Sequence, residues 1–226
     1  MNQVAIDLSN RGVAELQRGD PVAAFQSLSK AANIVMVGIH NHHHVSTGAE
    51  VFNFHWEDCS SAIAPRRPTE SSPAWEGSTP FLFLRALRIS TSTFATSVDE
   101  IEHLCPCGYA WVIWFNLALC CSVLGTRLGE KGKLFLEMAY DLYQKVQRRV
   151  DSEPSNKHWK MLAMAVSNNQ ACIFHDFAMH GDAVICLQRL ASTLSLCQDL
   201  EVADRGDFCL NLQILSSSHT LAAAAQ

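Results

Sequence analysis

Three asparagines stand at one recurring place in the chain: Asn10, Asn116 and Asn169 each lie two residues before a small residue, Gly12, Ala118 and Ala171. A carboxamide donates through its nitrogen and accepts through its oxygen at once, which suits the backbone of an extended peptide. Asn116 sits between Phe115 and Leu117, and a polar group among such neighbours needs a partner. The row reads as a face for peptide backbone. The competing reading is that the amides cap or bridge neighbouring helices. Other groups could hold a metal: His40, His42, His43 and His44, with His55 and Cys59 further on, supply imidazole and thiol for zinc or nickel. No HExxH pattern accompanies them, and Cys105 and Cys107 around Pro106 lack a second thiol pair at zinc-ribbon spacing. His175 and Asp176 read as a solvated pair on an exposed helix face. No Gly-rich phosphate loop, GxSxG elbow or dinucleotide fingerprint occurs. The expectation is a non-catalytic protein without cofactor or metal, with a metal-binding protein or metal-dependent enzyme using the His-rich stretch as the alternative.

The elements that position the asparagines read as helices. Residues 5–17 carry Ile6, Leu8, Val13 and Leu16 as an apolar stripe with Asp7, Arg11 and Glu15 between them. Gly19 ends that helix, Asp20 is an N-cap with Pro21 at the first helical position, and residues 22–36 form the second helix. Gly12 and Ala24 are twelve apart, followed by Leu28 and Ala31; Ala171 and Ala183 repeat the separation, followed by Leu187 and Leu190. Small residues at that spacing predict two helices whose backbones approach closely, repeated along the chain.

The turn RGD followed by SLSKAANI resembles a tetratricopeptide repeat, and the middle copy resembles it more closely. WFNLALCCSVLG places Trp114, Leu117 and Ala118 at that family's first-helix positions. MAYDLYQKV places Ala139, Tyr143 and Val146 on its second helix, and Phe174 takes the aromatic position of a third copy. Residues 126–132 lengthen one turn, and no copy carries the closing proline. The resemblance implies an all-α array of about three helical hairpins with a concave groove. It places Asn10, Gln17, Asn116, Leu119, Asn169 and Asp176 on that groove, with Val13, Val123 and Cys172 beside them. Gln17, Val123 and Asp176 stand where members that clamp a peptide's terminal carboxylate carry lysine or arginine. The implied ligand is therefore an internal peptide segment or a helix, and the implied role a protein–protein interaction adaptor or scaffold.

The hairpins divide the chain into residues 1–36 as the first repeat, 37–104 as a long Ser/Pro/His-rich insert, 105–200 as the second and third repeats, and 201–226 as capping helix and tail. The insert's composition favours irregular chain, except for residues 81–89, FLFLRALRI, whose bulk suggests a short strand or helix docked back onto the helices. Phe208, Leu212 and Leu215 form the stripe of the capping helix, with Asn211, Gln213 and Ser216 opposite. Among 226 residues the formal net charge is −5, which gives no footprint for nucleic acid. The opening MNQVAIDLSN lacks a secretory pattern, so a cytoplasmic protein with nine mostly reduced cysteines is expected. Residues 104–126 carry no charge and approach the length of a membrane span. Their match to the repeat register favours a core helix, with membrane association the alternative.

Overall fold

The structure, a computed structural model, describes residues 3–41, 51–60, 82–92, 108–152, 157–197, 206 and 208–213. Helix accounts for 83% of the described residues, so packed helix pairs set the architecture. In order the elements are α1 (Gln3–Gln17), α2 (Pro21–Asn41), β1 (Val51–Asp58), β2 (Arg85–Ser92), α3 (Gly108–Leu128), α4 (Lys133–Val150), α5 (Lys157–Asp176) and α6 (His180–Leu196). The chain divides into two compact units, Met1–Ile63 with Leu84–Val146, and Ala64–Phe83 with Gln147–Gln226.

In the first unit α1 and α2 form an antiparallel pair whose turn is written in its residues. Gly19 adopts φ 77°, where a Cβ is penalised, and its N–H and that of Asp20 satisfy the carbonyls of Leu16 and Glu15. The Asp20 carboxylate accepts the N–H of Ala23 at 3.0 Å and starts α2. Gly12 lets the helices close: a Cβ there would lie 2.5 Å from Leu28 Cγ. Between the helices, buried Glu15 accepts the Ser27 hydroxyl at 2.7 Å and the Arg11 guanidinium at 2.9 Å.

Helix α3 is apolar on every side and buried along most of its length. It lies within Gly108–Val150, the single stretch among the described residues long and apolar enough to cross a membrane, and 89% of the most apolar window there is buried inside the protein. Helix α4 is amphipathic instead: Leu136, Ala139, Tyr143 and Val146, spaced three and four apart, point inward. The two meet through Phe115 and Tyr143, with ring centroids 6.0 Å apart, and in the turn between them Gly132 lies so close to Gly125 that a Cβ would meet the Gly125 backbone. The link is shorter than the lengthened turn at residues 126–132 predicts, because α3 runs on to Leu128 and a 3-10 turn over Gly129–Gly132 leads directly into α4.

The insert is not irregular throughout: the mostly helical fold also carries a two-stranded antiparallel ribbon. Helix α2 continues to Asn41, and β1 pairs antiparallel with β2 from Val51 opposite Ser92 to Asp58 opposite Arg85. Val51, Phe52, Phe54 and Trp56 are residues that favour a pleated, half-buried surface. The expected docking of residues 81–89 takes the form of chain without regular structure over 82–84 followed by β2. The sequence around His42, His43 and His44, the Ser/Pro-rich centre of the insert, Cys105 and Cys107, Leu215, Ser216 and the C-terminal tail lie outside the described residues.

In the second unit α5 packs on α6 with Ala171, Ala183, Leu187 and Leu190 buried between them. The end of α5 repeats the end of α1: Ala178 N–H reaches His175 O, and Met179 N–H reaches Phe174 O. The left-handed position here is Ala178, at φ 56°. Residues 208–213 are helical, with Phe208 buried and stacked on Phe83 at 4.7 Å. Asn211, expected on the outer side with Gln213, is instead fully buried. The stripe predicted from Phe208 and Leu212 is thus rotated, and the polar side chain turns inward because a partner amide awaits it.

Two stability outcomes follow. Ala118→Leu, Ala171→Leu and Gly132→Ala overpack helix contacts and are expected to cost about 1–3 kcal/mol in denaturant unfolding, whereas Leu134→Ser on the exposed face of α4 changes stability by under about 0.5 kcal/mol. Ala178→Gly relieves a left-handed alanine and is expected to stabilise by about 1 kcal/mol, read as a higher midpoint at unchanged m-value.

Candidate functional site

Strand β2 has two edges. One pairs with β1; along the other, the N–H and C=O groups of alternate residues point away from β1 and need other partners. In the first unit two asparagines supply them. The Leu87 N–H donates to Asn116 Oδ1 at 2.8 Å, and Asn116 Nδ2 donates to the Leu87 carbonyl at 2.7 Å. Two residues on, the Ile89 N–H donates to Asn10 Oδ1 at 2.8 Å, and Asn10 Nδ2 returns to the Ile89 carbonyl at 2.7 Å. Each carboxamide thus stands where the peptide unit of another strand would stand. Asn116 is fully buried on α3, and its Nδ2 lies 3.5 Å from the Ser9 hydroxyl on α1. Asn10 is half-buried.

In the second unit Asn169, fully buried on α5, makes the same pair of bonds: it accepts the Phe83 N–H at 2.7 Å and donates to the Phe83 carbonyl at 3.3 Å. A relay fixes its orientation. Asn211 Nδ2 donates to Asn168 Oδ1 at 2.7 Å, and Asn168 Nδ2 donates to Asn169 Oδ1 at 3.1 Å. Sequence reading singled out neither Asn168 nor Asn211 as functional. For Asn168 the signal lay in the run Ser167–Asn168–Asn169–Gln170, four polar residues between the apolar stretches 161–166 and 171–174.

The remaining groove candidates are divided. Gln17 Nε2 donates to Glu57 Oε2 on β1 at 2.9 Å, so it too holds the chain's own hairpin. Leu119, Val13 and Val123 are buried in the first unit. Cys172 is buried in the second, 3.9 Å from Asn211 Nδ2, and Asp176 is exposed at the end of α5. The side chains of Leu87 and Ile89 are buried, as is Ala86; Arg88 points out and lies 3.6 Å from Glu57. Trp56 meets Phe115 edge-on at 5.8 Å.

No group of three or more His, Cys, Asp or Glu side chains that could hold a metal occurs among the described residues; His55 is exposed on β1 and Cys59 is buried beyond its end. Burial pushes the Cys59 thiol up to about 11, with Asp58 and Glu57 adding to the shift. Burial likewise raises Cys121 to about 12 and Cys186 to about 11, and lifts Cys120 and Cys172 further. Such thiols are neutral near pH 7 and serve as packing. No protein-family model, curated protein or solved structure matches the chain. The arrangement of its own side chains therefore carries the functional reading.

Asn116→Ala strands a buried N–H and a buried C=O of Leu87, and is expected to cost about 1–3 kcal/mol, with Asn10→Ala costing less because water reaches that site. Asn116→Asp keeps the acceptor but turns an oxygen toward the Leu87 carbonyl, so denaturant unfolding should place it no higher than the alanine variant at pH 7. With iodoacetamide at pH 8, followed peptide by peptide, exposed Cys209 is expected to react at least about tenfold faster than Cys120 or Cys121.

Proposed function

We propose that the protein is a non-catalytic interaction module, a tetratricopeptide-like helical array acting as a cytoplasmic adaptor or scaffold. Its first-helix asparagines take an extended protein segment by the backbone. The observation that supports this most is the paired donor and acceptor bonding of Asn10 and Asn116 to alternate residues of a strand. That pattern is the main-chain recognition by which extended peptides add to a sheet edge, with carboxamides taking the place of a neighbouring strand. Main-chain bonds hold the segment whatever its side chains, and the small apolar sites around it choose among sequences.

The test is affinity capture from cell lysate with the wild-type chain and an Asn116→Ala, Asn169→Ala double variant. It is run at a temperature where circular dichroism shows both folded, and the bound partner is trimmed by limited proteolysis to the segment retained. Loss of a retained extended segment from the variant is the expected result. The same proteins on both chains would make the asparagines structural and remove the reading.

A further inference from the structure

Away from the asparagines, the first unit gathers apolar side chains on its surface where three helix ends converge. Leu134 on the first turn of α4 is 72% exposed and Met138, one turn on, 42%; Leu128 at the end of α3 and Val22 at the start of α2 are exposed as well. Apolar residues exposed singly are ordinary, but these are grouped. The Phe25 ring, one turn after Val22, stands edge-on to Phe135 beside Leu134, with centroids 5.5 Å apart and both rings half-buried. Arg127 Nη1 donates to the Gly19 carbonyl at 3.3 Å, which brings the end of α3 to the α1–α2 turn. We infer that this patch is a self-association surface: a second copy of the chain covers it across a twofold axis, with α4 antiparallel to α4 of the copy.

The occupant follows from the charges at the two ends of the patch. Leu134, Met138 and Asp141 are spaced four and three apart, so they lie along one line of α4. Before the apolar pair stand Lys131 and Lys133 against a single Glu130. After it stand exposed Glu137 and Asp141, while the next cation, Lys145, is turned over the Trp114 ring at 5.8 Å. The patch is therefore basic at one end and acidic at the other. A patch of one sign calls for a foreign partner of the opposite sign; this one carries its own complement. Let the axis pass level with Leu136. Leu134 then meets Met138 of the copy, and Lys131 meets its Asp141, each five residues or roughly 8 Å along the helix from the centre. Neither Lys131 nor Asp141 has a hydrogen-bond or ion-pair partner among the described residues. Parallel pairing would set like charges side by side, so the twofold is antiparallel.

A patch of this extent supports a weak dimer rather than an obligate one. At the micromolar concentrations of an unfolding experiment it is dissociated, so the small effect expected of Leu134→Ser on stability is that of the monomer. The patch shares no residue with the asparagine sites, and its failure would leave the proposed function untouched.

Sedimentation equilibrium of the full chain, carried to concentrations on the order of 0.5 mM, tests this. A reversible monomer–dimer equilibrium is expected, and Leu134→Glu, a change at an exposed position that leaves circular dichroism unaltered, should weaken it at least about tenfold. At low salt Lys131→Glu and Asp141→Lys should each weaken the homodimer at least about threefold, because each sets like charges across the axis. An equimolar mixture of those two variants should recover wild-type association, because both of its cross-axis pairs are again opposite in sign. A chain that stays monomeric, or a dimer indifferent to Leu134→Glu, overturns the inference. So do charge variants that mixing fails to rescue, since the antiparallel twofold requires it. Binding of monomeric wild type to phosphatidylcholine vesicles, or to a lysate protein, that Leu134→Glu abolishes would give the patch to lipid or to a foreign partner and overturn it likewise.

Discussion

A strand can be buried against helices only if both of its edges are satisfied. Helices offer no backbone partners, because their own N–H and C=O groups are spent internally. In this protein the missing edge is supplied by carboxamides on helix faces. Asparagine suits the task for a specific reason: its amide reproduces the donor–acceptor pair of a peptide unit and sits on a side chain too short to wander. Aspartate would lack the donor, serine the second atom, and glutamine would add a methylene and another rotatable bond. The fully buried state of Asn116 is tolerable because Leu87 satisfies both of its ends, and Leu87 is tolerable for the same reason.

Much of this was legible from residue types and spacing. The small residues Gly12, Ala118 and Ala171 mark where helices approach, Gly19 and Asp20 write the α1–α2 turn, and the asparagines stand out as polar groups in apolar surroundings. What escaped was long-range. VFNFHWED has strand-forming residues, but it lies in a stretch rich in His, Ser, Thr and Pro, and its partner strand is some thirty residues distant in sequence. Local composition reports on neighbours along the chain, and a pairing between Val51 and Ser92 is invisible to it. Asn211 escaped for a related reason: its helix is short, and a carboxamide buried by a second carboxamide reads as an exposed polar position until the partner is known.

The membrane-like character of residues 104–126 has its cause in the same packing. A helix that meets other elements on all sides loses its polar face, so α3 is apolar around its whole circumference and passes a test of length and hydropathy. Its burial also explains Cys120 and Cys121, which are small enough for a crowded interior and too poorly solvated to ionise near neutral pH. Two polar side chains interrupt the buried run of that helix: Ser122, which bonds back to the Ala118 carbonyl, and Asn116, which is aimed at the strand.

The two units solve the orientation of their asparagines differently, and the difference bears on how each holds its own backbone. Asn169 is fixed by the relay from Asn211 through Asn168, so its oxygen and nitrogen are assigned before any backbone arrives. Asn116 has only the long contact to Ser9, and Asn10 is partly in water, so their orientation is set chiefly by the strand itself. A preoriented amide loses less freedom on engaging a peptide and binds it at lower entropic cost. An amide oriented by its occupant gives up more rotational freedom on engaging it, and for Asn10, which water reaches, hydration competes with that bond as well. By this reasoning Phe83 in the second unit is held by a preoriented amide, and Ile89 in the first by half-exposed Asn10, whose orientation the strand itself sets.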